Sequence, residues 1–140
     1  MREIKYIVLH CTATPQTASV QSILSYWRTG LGWRNPGYHF LIEPNGKINA
    51  LQDISKISNG VVGYNQNSIH ISYIGGIDAN NKPIDNRTIE QRGIMLALIL
   101  NLKKQFPNAQ ILGHCDFPGV NKACPSFNVK EWLNEIKTLL

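Results

Sequence analysis

The strongest constraint on the fold lies near the start of the chain, in Ile4-Lys5-Tyr6-Ile7-Val8-Leu9-His10. A short, almost continuous apolar run that stops at a Thr-Ala-Thr-Pro loop reads as a buried strand. This one ends on a histidine. A buried strand needs neighbours beside it and helices over it, and the rest of the chain supplies both. Val20, Ile23, Leu24 and Trp27 follow at helical spacing, and Gly30 and Gly32 stop that helix. Residues 38–43 and 47–52 flank Asn45-Gly46, the strongest short hairpin signal. Residues 68–74 alternate as a strand. A second helix starts near Thr88 with Gln91 as its capping-box partner, has apolar residues around much of its circumference and ends before Pro107. Residues 109–114 form another short strand, again closing on a histidine, His114. The last helix starts at Asn128 with Glu131 completing a cap, and its apolar face is Val129, Trp132, Leu133, Ile136 and Leu140. The order β-α-β-β-β-α-β-α predicts an α/β fold, a single mixed β-sheet flanked by helices.

A chain of 140 residues is one domain by size and needs no disulfide or metal simply to fold. Charged residues are only 16% against 43% apolar, which excludes an intrinsically disordered chain. Cysteines stand at Cys11, Cys115 and Cys124; the odd count and the lack of any Cys-x-x-Cys exclude a paired disulfide framework, a zinc ribbon and a thioredoxin-like motif. The longest apolar run, Ile94–Leu100, is far too short to span a bilayer, so no membrane insertion is expected. The N-terminus has no apolar stretch with a small-residue cleavage site, and no signal peptide is expected. Fourteen Lys and Arg against nine Asp and Glu give a net charge of +5. That suits an anionic partner without choosing one. No basic stripe with interleaved aromatic residues is present, so no nucleic-acid partner is expected.

His10 and His114 both close strands, where function tends to gather, and Cys124 follows ten residues after His114. Two imidazoles and a thiolate suit zinc, and three protein ligands leave a fourth position for water. On spacing alone the same three residues read more readily as two hydrogen-bonded core histidines and one buried thiol. Cys11 and Cys115 each directly follow one of these histidines; in strand geometry their thiols face away from it. Asp116 stands two residues after His114, placed either to hold the loop or to orient a ligand. By alternation His39 faces the opposite side from Tyr38 and is structural. His70, mid-strand between two isoleucines, is either solvent-facing or groove-lining. Glu43 and Asp53 carry no motif that makes either a general base, and His-Glu-x-x-His is absent.

Several segments together resemble one family. They are His10-Cys11-Thr12-Ala13-Thr14, Gly37-Tyr38-His39-Phe40, Gly63-Tyr64-Asn65-Gln66-Asn67-Ser68-Ile69, Gly75-Gly76, Gly113-His114 and Lys122-Ala123-Cys124-Pro125-Ser126-Phe127. In this order and spacing they are similar to the N-acetylmuramoyl-L-alanine amidase type 2 family, which includes peptidoglycan recognition proteins and phage lysozyme-type zinc amidases. The resemblance spans roughly residues 4–135. It implies one Zn2+ held by His10, His114 and Cys124, with Tyr38 and Lys122 as catalytic residues that stabilise an oxyanion. A proton relay through Tyr38 would need its pKa lowered from near 10. The resemblance also implies that the stretches around Arg28, Asn65 and Asn67 border the substrate groove, which makes these three candidate substrate contacts. Two departures stand there: Arg28 replaces a frequent histidine, and Ser58-Asn59-Gly60-Val61-Val62 lacks one.

The expected activity is hydrolysis of the amide between N-acetylmuramic acid and L-alanine of the peptidoglycan stem, by residues 1–140 acting as a single catalytic domain and as a monomer. A non-catalytic muropeptide-binding module is the alternative, and the presence of Cys124 favours the enzyme. Without a signal peptide, the wall is reached by lysis, a holin or dedicated secretion; the other setting is turnover of recycled muropeptides inside the cell.

Overall fold

The computed structural model describes residues 2–139. Five strands, β1 (Tyr6–Cys11), β2 (Phe40–Ile42), β3 (Ile48–Ala50), β4 (Ser68–Tyr73) and β5 (Gln110–Gly113), alternate with helices α1 (Val20–Ser25), α2 (Ile89–Gln105) and α3 (Val129–Ile136) in the expected order. They form one mixed sheet in the order β3-β2-β4-β1-β5. β1 runs parallel to both β4 and β5, β2 runs parallel to β4, and only the β2–β3 hairpin is antiparallel.

Alternation along the central strands builds two unlike faces. Ile7, Leu9 and Cys11 of β1 and Ile69, Ile71 and Tyr73 of β4 pack against Met95, Ile99 and Leu102 of α2 and Val129 and Trp132 of α3. This is the main core. The other face carries Val8 and His10 of β1 beside Ser68, His70 and Ser72 of β4, all buried. Val61 and Phe117 cover Val8 there, while Ile23 and Trp27 of the α1 segment cover Leu41 of β2. Buried polar side chains on a strand demand partners, so this second face is where chemistry is to be sought.

The helix starts follow from their caps. The Ser19 hydroxyl accepts from the Ser22 amide, Thr88 and Gln91 form a reciprocal capping box, and the Asn128 side chain accepts from the Glu131 amide. Gln91 is fully buried because its amide also donates to the carbonyls of Ile42 and Ile74, tying α2 to the ends of β2 and β4. Arg87, just before α2, lies over the rings of Phe127 and Trp132 and pairs with Asp85 at 2.9 Å. It thereby fastens the segment before α2 to α3.

Four details differ from the sequence reading. The hairpin strands are three residues each, because the chain bends through residues 36–39 and both Tyr38 and His39 bring their rings to the same face. Helix α1 runs on into a wider turn, Tyr26–Gly30. Helix α2 buries one face only, at Gln91, Met95, Ile99 and Leu102, and leaves Ile89 exposed. His114 sits one residue past β5, in a tight turn closed by the Gly113 amide donating to Asp116 at 2.8 Å. Leu140, placed on the apolar face of the last helix, lies outside the described residues.

Candidate active site

His10 is the penultimate residue of β1 and His114 follows the end of β5, so parallel pairing of these strands brings both imidazoles to the same sheet edge. Crevices at the carboxyl ends of parallel strands are the usual ligand sites of such sheets. Cys124 arrives from a turn that is pinned from three sides: the Cys115 amide donates to the Cys124 carbonyl at 2.9 Å, the Tyr73 hydroxyl to the Pro125 carbonyl at 2.6 Å, and the Ser126 hydroxyl to the Gly76 carbonyl at 2.8 Å.

The nitrogen and sulfur atoms of His10, His114 and Cys124 lie within 4.8 Å of one another, and Cys124 Sγ is 3.8 Å from His10 Nδ1. Zinc bonded to sulfur at about 2.3 Å and nitrogen at about 2.05 Å in a tetrahedron separates those two atoms by about 3.6 Å, so the donor set fits that ion. The Cys11 amide also donates to Cys124 Sγ at 3.2 Å, an interaction that favours a thiolate.

The electrostatics fit a cation. Burial holds His10 well below the ordinary imidazole range, helped by His70, His114 and Lys122. Burial and then Lys122 lower His114 as well. Both rings are therefore neutral and ready to ligate near pH 7. Hydrogen bonding with Cys11 and burial push the Cys124 thiol up, so a thiolate there requires a positive partner.

The cluster opens on a cleft of about 600 Å³ whose lining includes Tyr38, Lys122, Trp27, Trp33 and Asn59. The Tyr38 ring lies 5.0 Å from that of His10 and its hydroxyl donates to the Cys11 carbonyl at 3.2 Å. Burial, and then the charge of Cys124, raise the Tyr38 phenol instead of lowering it, so it is a donor and not a base. The structure thus brings five predicted residues to one cleft: His10, His114, Cys124, Tyr38 and Lys122.

Arg28, Asn65 and Asn67 are not among the cleft residues. Arg28 is exposed on the turn after α1. Asn67 donates to the Glu3 carbonyl at 2.8 Å, at the amino end of β4, the opposite end of the strand from the site. The Asn65 carboxamide oxygen accepts from the amides of Gly60 and Val61 and contacts His70. Asp116 holds its turn, and His39 is a buried structural residue whose pKa burial pushes down to about 4. Sequence reasoning missed the aromatic wall of Tyr26, Trp27 and Trp33 as a cleft feature, because the helical spacing of Trp27 marks core and cleft alike. It also left His70 undecided; that ring is fully buried and 2.8 Å from His10.

A neutral pair of imidazoles and a thiol on an α/β scaffold, facing an open cleft with a phenol and an ammonium beside them, defines the class as an α/β protein whose cleft carries a donor set that could hold a metal ion. Comparison with known proteins narrows it. The family model for N-acetylmuramoyl-L-alanine amidase matches residues 1–127. The endolysin of Klebsiella phage KP32 is 36% identical over 140 residues, covering 98% of this chain and 91% of that protein. Among solved structures, the Ph2119 endolysin from the Thermus scotoductus bacteriophage Ph2119 is 26% identical, with a TM-score of 0.79 over 98% of this chain and 85% of that one. Peptidoglycan recognition protein-LE, solved with tracheal cytotoxin, shares the fold at 20% identity, with a TM-score of 0.77 over 96% of this chain and 81% of that one. The chain belongs to the N-acetylmuramoyl-L-alanine amidase family and is an amide hydrolase of that kind.

Proposed function

We propose that the protein hydrolyses the amide between N-acetylmuramic acid and L-alanine of the peptidoglycan stem, with one zinc ion held by His10, His114 and Cys124. The observation that carries this reading is the convergence of those three ligands with Tyr38 and Lys122 on a single cleft. When bound, zinc supplies a Lewis acid and acidifies water to near neutrality. The chain's own residues do the rest. Tyr38, kept protonated by burial, donates a hydrogen bond to the oxygen that gains charge as the amide carbon becomes tetrahedral. The Lys122 ammonium adds positive charge on the same side. Trp27 and Trp33 give the cleft an aromatic wall suited to the apolar faces of a sugar or a stem peptide.

In this reading residues 1–140 are one catalytic domain, active as a monomer on peptidoglycan or muropeptides and without nucleic acid. The protein meets the wall after lysis, through a holin or by dedicated secretion, or acts on recycled muropeptides. Among the described residues no helix is long and apolar enough to cross a membrane. Digestion of purified peptidoglycan, followed by mass spectrometry and end-group analysis, tests the bond. The expected products are stem peptides with free alanine amino groups and intact glycan strands. New reducing sugar ends without free amino groups would overturn the assignment. Activity should be lost to a chelator, be restored by zinc and be absent from Cys124→Ser; a Cys124→Ser protein with full turnover would overturn the ligand set.

A further inference from the structure

Behind His10 lies a chain of polar contacts, fully buried at its histidine end and half-buried at Asn65, that the reaction does not use directly. Its polarity can be worked out atom by atom. The Asn65 side-chain oxygen accepts from the Gly60 amide at 3.1 Å and the Val61 amide at 2.8 Å. Backbone amides only donate, so the carboxamide must present its oxygen there and not its NH2 group. The same oxygen is 2.9 Å from His70 Nε2. It has no proton to give, so His70 Nε2 carries one. A neutral imidazole carries a single ring proton, and His70 Nδ1 is therefore a lone pair. That nitrogen is 2.8 Å from His10 Nε2, which must then be the N–H donor. His10 Nδ1 is left unprotonated, and it is the atom that faces Cys124 Sγ at 3.8 Å.

The reverse polarity fails at its far end. A proton on His70 Nδ1 leaves Nε2 as a lone pair facing a carboxamide oxygen, and rotating the Asn65 amide to mend that sets its NH2 against two backbone donors. A doubly protonated His70 would bury a cation with no counter-charge in contact, at 0% exposure. Gly60 completes the arrangement: a Cβ at that position would lie 2.2 Å from His70 Nδ1, so only glycine leaves room for the ring.

We propose that His70 and Asn65 are positioning residues that lock His10 in the tautomer and ring orientation required of a metal ligand, with the amides of Gly60 and Val61 as the fixed end of the relay. The inference rests on the reading of His10 as a zinc ligand. It also gives Asn65 a role the sequence did not suggest. Ligating histidines usually donate their second N–H to a carboxylate, a backbone carbonyl or water. Here the acceptor is a neutral ring, itself oriented by an amide.

The first test needs neither metal nor turnover. Long-range nitrogen–proton NMR of the metal-free wild-type protein near pH 7 reads ring tautomers directly. Both His10 and His70 should be protonated at Nε2; a proton on Nδ1 of either ring would overturn the relay. The second test measures the affinity for zinc alone by competition with a chromogenic chelator. His70→Leu should bind zinc about 10–100-fold more weakly. Asn65→Leu, which removes the acceptor, should weaken zinc binding as well. A folded His70→Leu with unchanged zinc affinity overturns the proposal. Wild-type protein that binds no zinc overturns the metal reading of His10 instead, and the NMR result then decides the relay by itself.

Discussion

Two glycine-to-alanine substitutions should move stability in opposite directions, and the contrast tests the packing around His70. An alanine Cβ at Gly60 would stand 2.2 Å from His70 Nδ1 and 2.4 Å from two further ring atoms. Ordinary contact begins near 3.4 Å, so the ring must retreat by about 1.2 Å. It cannot swing freely, because its two nitrogens are held by His10 at 2.8 Å and Asn65 at 2.9 Å. A retreat of that size opens at least one of those bonds. Overpacking costs about 1–3 kcal/mol. A buried ring nitrogen left without a partner costs about 1–3 kcal/mol more. Alanine recovers about 0.4–1 kcal/mol by restricting the unfolded chain. The expected net loss is about 1–5 kcal/mol, centred near 3, with weaker zinc binding. Gly93 is the control. It is exposed in α2 and a Cβ there would meet nothing within 4 Å. Gly93→Ala should add about 0.5–1 kcal/mol through helix propensity alone. Urea melts followed by circular dichroism report both as midpoint shifts at constant slope. A Gly60→Ala midpoint at or above the wild-type value would refute the claim that this glycine reserves the space of the ring.

Two further outcomes follow from named contacts. Arg87→Met removes a buried guanidinium that pairs with Asp85 and covers two aromatic rings, and should cost about 3 kcal/mol in a urea melt. Burial pushes the Asp85 carboxyl up, but its hydrogen bond and charge interaction with Arg87 outweigh this and leave it below its ordinary value. Its stabilisation is therefore complete above the unfolded pKa near 4 and is lost as pH falls through the lower folded value. A wild-type acid-unfolding profile that Arg87→Met leaves unchanged in the pH 2–5 range, about where carboxylates titrate, would refute the pairing. Tyr38→Phe should lower kcat on a muropeptide by about 100–1,000-fold with little change in KM. An undiminished kcat would remove Tyr38 from the reaction.

Much of the architecture could be read from local signals. The apolar run of β1, the Asn45-Gly46 turn and the Thr88–Gln91 capping box are each decided by near neighbours in sequence, and each element stands where those neighbours place it. His10, His114 and Cys124 were a weak signal on spacing alone; the ordered motifs around them singled them out as a set, and the fold brings their donor atoms within 4.8 Å of one another. What escaped depends on contacts between distant segments. Alternation put His39 opposite Tyr38, but alternation holds only in extended chain, and residues 36–39 bend. His70 gains its meaning from the parallel register that sets Val8 beside His70 and His10 beside Ser72, and no feature of residues 68–74 announces that pairing. Asn65 was assigned to substrate by its neighbourhood, whereas its oxygen is committed to two backbone amides before any ligand arrives.

The strand order carries a consequence for how the protein is born. β1 leaves the ribosome ahead of both its partners, β4 on one side and β5 on the other, so its edges stay open until residues 68–73 and then 110–113 have emerged. Contacts that span so much chain make folding slow. His10 waits longer still, because the sulfur that faces it lies 114 residues downstream. A nascent chain therefore holds every element of the sheet before it holds the candidate metal site. Val129 and Trp132 of α3, which close the main core, emerge later still, so the core and the candidate site are completed by the same last stretch of chain.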